Sequence, residues 1–138
     1  MVLCVRTGID IVHIPRIARM VDHYGARFVT RIYTPSEIHT CAGHARAFAA
    51  RWAAKEAVAK LLGVGIAGLG SGADAVPFRH IEVMRAHNGK PTVVLHQRAQ
   101  LIAQRLCLSS IDISISHDGD YAVASVVALG QVPDESAP

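Results

Sequence analysis

Two carboxylates from distant parts of the sequence, Asp10 and Glu56, could share a divalent cation. Asp10 lies where an N-terminal strand is expected to end, and Glu56 lies in A-A-R-W-A-A-K-E-A-V-A-K-L-L-G-V-G, residues 49–65. Two carboxylates that lie side by side resist joint ionisation, and a bound cation relieves that repulsion. Mg²⁺ often uses one or two carboxylates together with water and phosphate oxygens. The pair is therefore a candidate magnesium and phosphate site.

Basic side chains and glycines could complete a phosphate site around this pair. Gly63 and Gly65 would let backbone N–H groups approach a phosphate closely. The side chains that could add positive charge are Arg51, Lys55, Lys60 and His117.

The charged segment also has a simpler interpretation. An α-helix advances about 100° per residue, which gathers the apolar residues Ala50, Ala54, Ala57, Val58 and Leu61 on one side and the charged residues on the other. This spacing favours an amphipathic helix with a solvated face, in which Glu56 and Lys60 form a stabilising i,i+4 pair. Asp10 could equally be a helix cap or turn residue, and His117 a solvent-facing residue at a strand end.

Local signals in the first half predict a strand followed by helices. The strand ends near residues 8–11, and a helix runs from Pro15 to a stop at Gly25. A short helical piece over residues 27–33 comes next. In T-P-S-E, Thr34 and Glu37 have the spacing of a capping box. A long Ala-rich helix then begins near His44 and leads into a glycine-rich connection, residues 65–76, which we expect to be a mobile loop.

The second half is predicted to be mostly strand. H-N-G-K at residues 87–90 is a strong hairpin signal between two antiparallel strands. Helical spacing follows over residues 95–106. Residues 111–116 alternate isoleucine with Asp or Ser, which indicates a strand, and residues 121–129 give the returning strand.

The order of these elements favours an α+β domain with a mainly antiparallel sheet packed against the long helix. The chain has 138 residues, of which 51% are hydrophobic, so it can bury one core without disulfides. We expect a single domain over residues 1–130 and a flexible tail over residues 131–138.

Charge and cysteine content narrow the class of protein. The net charge is +3, and +5 without the two acidic residues of the tail, which favours an anionic partner. The three cysteines lack metal or redox spacing and are expected to be reduced, mostly buried thiols. No leader or membrane-spanning run is evident, so we expect a cytoplasmic protein that binds neither membrane nor nucleic acid.

Several segments, in order, resemble the holo-[acyl-carrier-protein] synthase type of 4′-phosphopantetheinyl transferase. The resemblance covers almost the full length of the chain, and the ordered set is more specific than any one segment. The segments are G-I-D-I-V-H-I-P-R-I at 8–17, F-V-T-R-I-Y-T-P-S-E at 28–37, R-W-A-A-K-E-A-V-A-K-L-L-G-V-G at 51–65, N-G-K-P at 88–91 and I-S-I-S-H at 113–117.

The resemblance implies the 4′-phosphopantetheinyl transferase fold, Mg²⁺ as cofactor and coenzyme A as substrate. Asp10 and Glu56 match the family's metal ligands. The residues that match its coenzyme site are Lys60, Gly63, Gly65 and His117, to which we add Arg51 as a candidate. A serine of an acyl carrier protein would attack the β-phosphorus of coenzyme A, with Glu56 as the candidate base and Lys60 stabilising the departing phosphate.

The resemblance also implies a carrier-docking residue and an oligomer. Arg16 matches the helix that meets the acidic carrier in this family, with Arg19 and Met20 as neighbours. Members of this size are usually homotrimers with active sites between subunits. Nothing in the composition itself indicates a trimer.

The sequence differs from the family pattern in three places, and two other functions are possible alternatives to transfer. The stretch between Glu37 and Arg51 is short, the connection 65–76 is somewhat long, and His80 stands where an acidic residue is frequent. A non-catalytic basic module for nucleotide or RNA is disfavoured by the low aromatic content. A degenerate relative that binds without transfer is disfavoured because the proposed metal and coenzyme residues are present.

Overall fold

The computed structural model describes residues 1–66 and 75–136. Its elements follow the predicted order: one strand, three short helices, the long helix, a hairpin, a helix and two strands. They are β1 (Val2–His13), α1 (Ile14–Tyr24), α2 (Ala26–Ile32), α3 (Pro35–Cys41), α4 (Ala45–Leu62), β2 (Ile81–Arg85), β3 (Pro91–Leu95), α5 (Gln97–Arg105), β4 (Leu108–Asp118) and β5 (Tyr121–Val132). The α+β class is confirmed.

The strands form two antiparallel units. β5 lies between β1 and β4 in a three-stranded sheet, and β2 pairs with β3 in a separate hairpin. β1 is longer than predicted, because it continues past Ile11 to His13 along the whole of β5. β5 also reaches Val132, so the first two residues assigned to the tail pair with the start of β1.

Several local predictions match the structure. Thr34 and Glu37 form the capping box at the start of α3, with both reciprocal hydrogen bonds present. The thiols are less buried than expected, since only Cys41 is buried, while Cys4 is partly buried and Cys107 is exposed. Residues 67–74 of the predicted mobile connection lie outside the described residues, although Ile66 and Val76 at its ends form a parallel bridge.

The long helix α4 is buried on almost all sides, and the predicted solvated face is wrong at Arg51 and Lys55. Lys55 is 0% exposed and Arg51 is 5% exposed. The sheet covers one side of α4, and α1 and the β2 strand cover others. The helical wheel failed here because small alanines let neighbouring elements approach from several directions. Of the four charges, only Lys60 is exposed.

Lys55 is held in the core by a buried ion pair. Its Nζ donates to Glu37 Oε1 at 2.7 Å and to the Phe78 carbonyl at 3.1 Å. The other oxygen of Glu37 accepts the N–H of Val83 at 3.0 Å. Burial lowers the pKa of Lys55, and the carboxylate of Glu37 opposes that shift. This network joins α3, α4 and β2, and Lys55 thus has a structural role.

The sheet packs against α4 most closely at Gly8. A Cβ built on Gly8 would lie 1.9 Å from the carbonyl oxygen of Ala57, a distance at which backbone must move. The residues of β1 alternate, so that Arg6, Gly8 and Asp10 face the helix. The opposite face of β1 is apolar and more than half exposed, at Leu3, Val5, Ile9 and Ile11. No helix within the described ranges is long and apolar enough to cross a membrane.

Gly8→Ala is expected to destabilise the protein by about 1–3 kcal/mol, because the new methyl group pushes β1 away from α4. The measurement is urea unfolding followed by circular dichroism. Thr7→Ala is the control, since Thr7 is the exposed neighbour on the same strand. Equal stability of Gly8→Ala and the wild type would show that the strand and helix are not in tight contact.

Candidate active site

Asp10 and Glu56 are brought together by the contact between β1 and α4. Asp10 lies two residues beyond Gly8 on the helix-facing side of the strand, and Glu56 precedes Ala57, which Gly8 contacts. Burial raises the pKa of Glu56, and the negative charge of Asp10 raises it further. Burial likewise raises the pKa of Asp10. The two carboxylates thus form the electrostatically coupled pair that the sequence analysis expected.

Lys60 lies at the same place, one helical turn after Glu56. Its Nζ donates to the Ile9 carbonyl at 2.9 Å and to Asp10 Oδ1 at 3.2 Å. The Lys60 side chain is 55% exposed, while that of Asp10 is only 16% exposed. Lys60 therefore offers a cation to the surface beside the carboxylates, where it can meet an incoming anion.

The donor set fits a hard divalent cation. Asp10 and Glu56 supply two carboxylates, and among the residues that the structure describes no group of three His, Cys, Asp or Glu side chains is placed to hold a metal. A site of two carboxylates leaves most of an octahedral shell to water and ligand oxygens, which is the arrangement Mg²⁺ favours. It does not suit a closed zinc site, which needs four protein ligands.

The glycine turn after α4 works differently from the expectation. Gly63 has a φ of 75°, and its N–H donates to the carbonyls of Ala59 and Lys60. The N–H of Val64 also donates to Ala59. The Gly63 amide thus ends the helix. It is not free to donate to a phosphate, and the expectation that it would do so is wrong. Its lack of a side chain remains necessary, because of the positive φ and a close neighbour.

That neighbour is Arg6, which the sequence analysis did not single out. Arg6 Nε donates to the Leu61 carbonyl at 2.7 Å. A terminal nitrogen of Arg6 lies 3.0 Å from the position of a Cβ at Gly63. The alternation of β1 could have identified Arg6, since it is two residues before Gly8 and four before Asp10 on one face.

Arg51 and His117 lie in a separate cleft. The cleft has a volume of about 510 Å³ and is bounded by the start of α4, the hairpin and the end of β4. Its basic residues are His44, Arg46, Arg51, Arg85 and His117. Arg51 Nε is buried and has no hydrogen-bond partner within the described part of the chain. An orphaned buried N–H in a basic cleft is suited to an anionic ligand.

The cleft and the carboxylate pair are on opposite sides of α4. Ala47, Ala50 and Arg51 line the cleft, whereas Lys60 follows Arg51 by nine residues, which is about 180° around a helix. The structure therefore brings together Asp10, Glu56 and Lys60, and it separates them from Arg51 and His117 within one chain.

Arg16 is exposed on α1 and lies close to the carboxylate pair. Its guanidinium is 5.8 Å from the centroid of the Trp52 ring. Trp52 is one helical turn before Glu56, and the charge of Arg16 lowers the pKa of both carboxyl groups, against the larger effect of burial. A partner that binds Arg16 would thus be placed beside Asp10 and Glu56.

Comparison with known proteins identifies the family of the chain. A sequence model described as the 4′-phosphopantetheinyl transferase superfamily matches residues 6–126. The holo-[acyl-carrier-protein] synthase of Herpetosiphon aurantiacus is 47% identical over 90% of this chain and 98% of its own. That of Gloeobacter violaceus is 45% identical over 91% of this chain and 92% of its own.

Solved structures give the same result. The Helicobacter pylori holo-[acyl-carrier-protein] synthase in complex with coenzyme A matches with a TM-score of 0.74 and 32% identity, over 88% of this chain and 98% of that one. The Neisseria meningitidis holo-[acyl-carrier-protein] synthase matches with a TM-score of 0.77 and 34% identity, over 89% and 96%. Sequence and fold agree that the chain is an enzyme of the 4′-phosphopantetheinyl transferase superfamily and belongs, within it, to the holo-[acyl-carrier-protein] synthase family.

Proposed function

We propose that this protein transfers the 4′-phosphopantetheine group of coenzyme A to a serine of an apo acyl carrier protein, with Mg²⁺ as cofactor. The other product is adenosine 3′,5′-bisphosphate. The observation that carries the proposal is the placement of Asp10, Glu56 and Lys60 at one helix–strand contact. Relatives at 45–47% identity named holo-[acyl-carrier-protein] synthase support the substrate class.

Asp10 and Glu56 would hold the Mg²⁺. When bound, the ion offsets negative charge that builds on the phosphoryl oxygens during transfer. Lys60 lies 3.2 Å from Asp10 and is mostly exposed, so it can stabilise or protonate the departing phosphate. Glu56 is also the candidate proton acceptor for the serine hydroxyl.

We propose that the active form is a homotrimer with sites between subunits. Two features of the chain support it. The carboxylate pair and the basic cleft lie on opposite sides of α4, so a coenzyme molecule held at the pair could take further contacts from the cleft of another copy. The outer face of β1 carries an apolar row, Leu3, Val5, Ile9 and Ile11, that a second copy would cover. Arg51 and His117 would then bind the coenzyme held at the neighbour's carboxylates.

The carrier would dock at Arg16. The cytoplasmic location of the protein stays a prediction from the sequence. Carrier proteins of this kind are acidic, and Arg16 is exposed with its inner side on Trp52. Docking there places the carrier's serine near Glu56. We further assign the activity to one domain, which the sequence predicted to end at residue 130 and which β5 extends to Val132.

Transfer is tested by incubating the protein with apo carrier, coenzyme A and Mg²⁺ and measuring the intact mass of the carrier. Wild type should add one phosphopantetheine. Asp10→Asn and Glu56→Gln should each lower the rate by at least about 100-fold, because each removes a ligand of the charge-offsetting ion.

Asp22→Asn is the matched control, since it removes an exposed carboxylate of α1 away from the site. Near-normal turnover in Asp10→Asn or Glu56→Gln would remove that residue from the metal site. No mass gain with several carriers, together with binding of adenosine 3′,5′-bisphosphate, would favour a non-catalytic nucleotide-binding module instead.

Carrier docking is tested by Arg16→Glu. Reversing this exposed charge should raise the KM for the acidic carrier about tenfold or more, while the KM for coenzyme A changes little. Arg27→Glu, an equal charge reversal on α2, is the control. Equal changes in both KM values for Arg16→Glu would argue against a docking role.

The trimer is tested by sedimentation velocity on Val5→Glu. The molar mass of the wild type from sedimentation should be three times the 14.8 kDa mass of the chain. A charge placed in the apolar row should disrupt the assembly and the activity together. Val94→Glu is the control, because Val94 is an exposed valine on the hairpin. A monomeric wild type with full activity would contradict the proposal.

A further inference from the structure

Arg6 is a cation at the C-terminal end of α4, where an anion would otherwise be repelled. The carbonyl end of a helix carries a partial negative charge equivalent to about half an electron. The last-turn carbonyls of Ala59 and Lys60 are satisfied by the backbone after the helix. The Leu61 carbonyl is satisfied by the Arg6 side chain at 2.7 Å.

Among the residues that the structure describes, no carboxylate forms an ion pair with Arg6. The ion pairs there join Lys55 with Glu37, Lys60 with Asp10, Lys90 with Asp112 and His96 with Glu82, and none includes Arg6. The side chain is half-buried, which weakens solvent screening of its charge. Its terminal nitrogen lies against Gly63, so the charge is held at the glycine turn.

Arg6 also lies in line with the metal ligands. Arg6, Gly8 and Asp10 are alternate residues on the helix-facing side of β1, and Arg6 and Asp10 are about 13 Å apart along the strand. Lys60 interacts with Asp10 near one end of this row, and Arg6 marks the other. A ligand with several phosphates that meets Lys60 and extends toward the glycine turn would reach Arg6.

We propose that Arg6 is a further anion-binding residue of this site, and that its positive charge lets the phosphate-bearing nucleotide end of the coenzyme approach the Gly63 turn. The inference rests on the proposed function. It explains how a helix end whose Gly63 amide is already bonded to Lys60 could still face an anion. Arg6 replaces the backbone donor that the sequence pattern suggested.

The test uses calorimetric titration of the full chain with adenosine 3′,5′-bisphosphate, together with the KM for coenzyme A. Arg6→Met should weaken nucleotide binding and raise that KM about tenfold, with kcat and the carrier KM within a factor of about two. Arg6→Lys keeps the charge but loses the Nε donor, so its affinity should stay within about threefold of wild type. Arg27→Met controls for the loss of one positive charge on the exposed part of α2.

The Lys and Met variants separate binding from folding. Both lose the hydrogen bond to Leu61, so thermal unfolding should show similar losses of stability in both. Equal loss of nucleotide affinity in Arg6→Lys and Arg6→Met would overturn the proposal, because geometry and not charge would then matter. Unchanged affinity in Arg6→Met would also overturn it. If either of these results is found while the wild type transfers phosphopantetheine, the proposed function stands and only the role of Arg6 is wrong. If the wild type neither binds adenosine 3′,5′-bisphosphate nor transfers phosphopantetheine, the proposed function and the role of Arg6 are both wrong.

Discussion

The backbone contact between Gly8 and Ala57 is the constraint on which the site depends. Because Gly8 has no side chain, β1 comes within direct contact of α4, and the next helix-facing residue, Asp10, is carried to Glu56. Partly burying two carboxylates beside each other is unfavourable, and their raised pKa values record that cost. The packing of strand on helix supplies the free energy that holds them together.

The ion pair between Lys55 and Glu37 fixes the other degree of freedom, the rotation of α4 about its axis. Lys55 bonds to groups in α3 and β2, and a rotation of the helix would leave a buried charge without its partners. Breaking such a pair costs about 3–5 kcal/mol. Since Glu56 is the next residue, the same pair determines that Glu56 faces β1. Adjacent charged residues thus have distinct tasks, one in the core and one at the surface.

Local features of the fold could be predicted from the sequence, and long-range ones could not. The capping box at Thr34, the hairpin at Asn88 and the order of the elements depend on short-range hydrogen bonds and periodicity. The burial of Arg51 and Lys55 depends on how many elements surround α4, which a helical wheel cannot state. The predicted donor role of Gly63 is wrong for a related reason. The backbone N–H groups that follow a helix donate to the carbonyls of its last turn and are not free for a ligand. Arg6 could have been found from the alternation in β1, which places it on the same face as Gly8 and Asp10.

The separation of the two charged regions follows from the same burial. A helix enclosed by a sheet and a hairpin can present functional groups only at the gaps between them, and α4 has one gap beside Asp10 and another at the cleft with Arg51 and His117. A single ligand molecule cannot pass through the helix to meet both. The apolar row on β1 begins beside the first gap, because Ile9 accepts a hydrogen bond from Lys60 through its carbonyl while its side chain points outward. The burial that divides the charged groups within one chain thus leaves two separate surfaces for contacts with other molecules, the carboxylate pair with the apolar row beside it and the basic cleft.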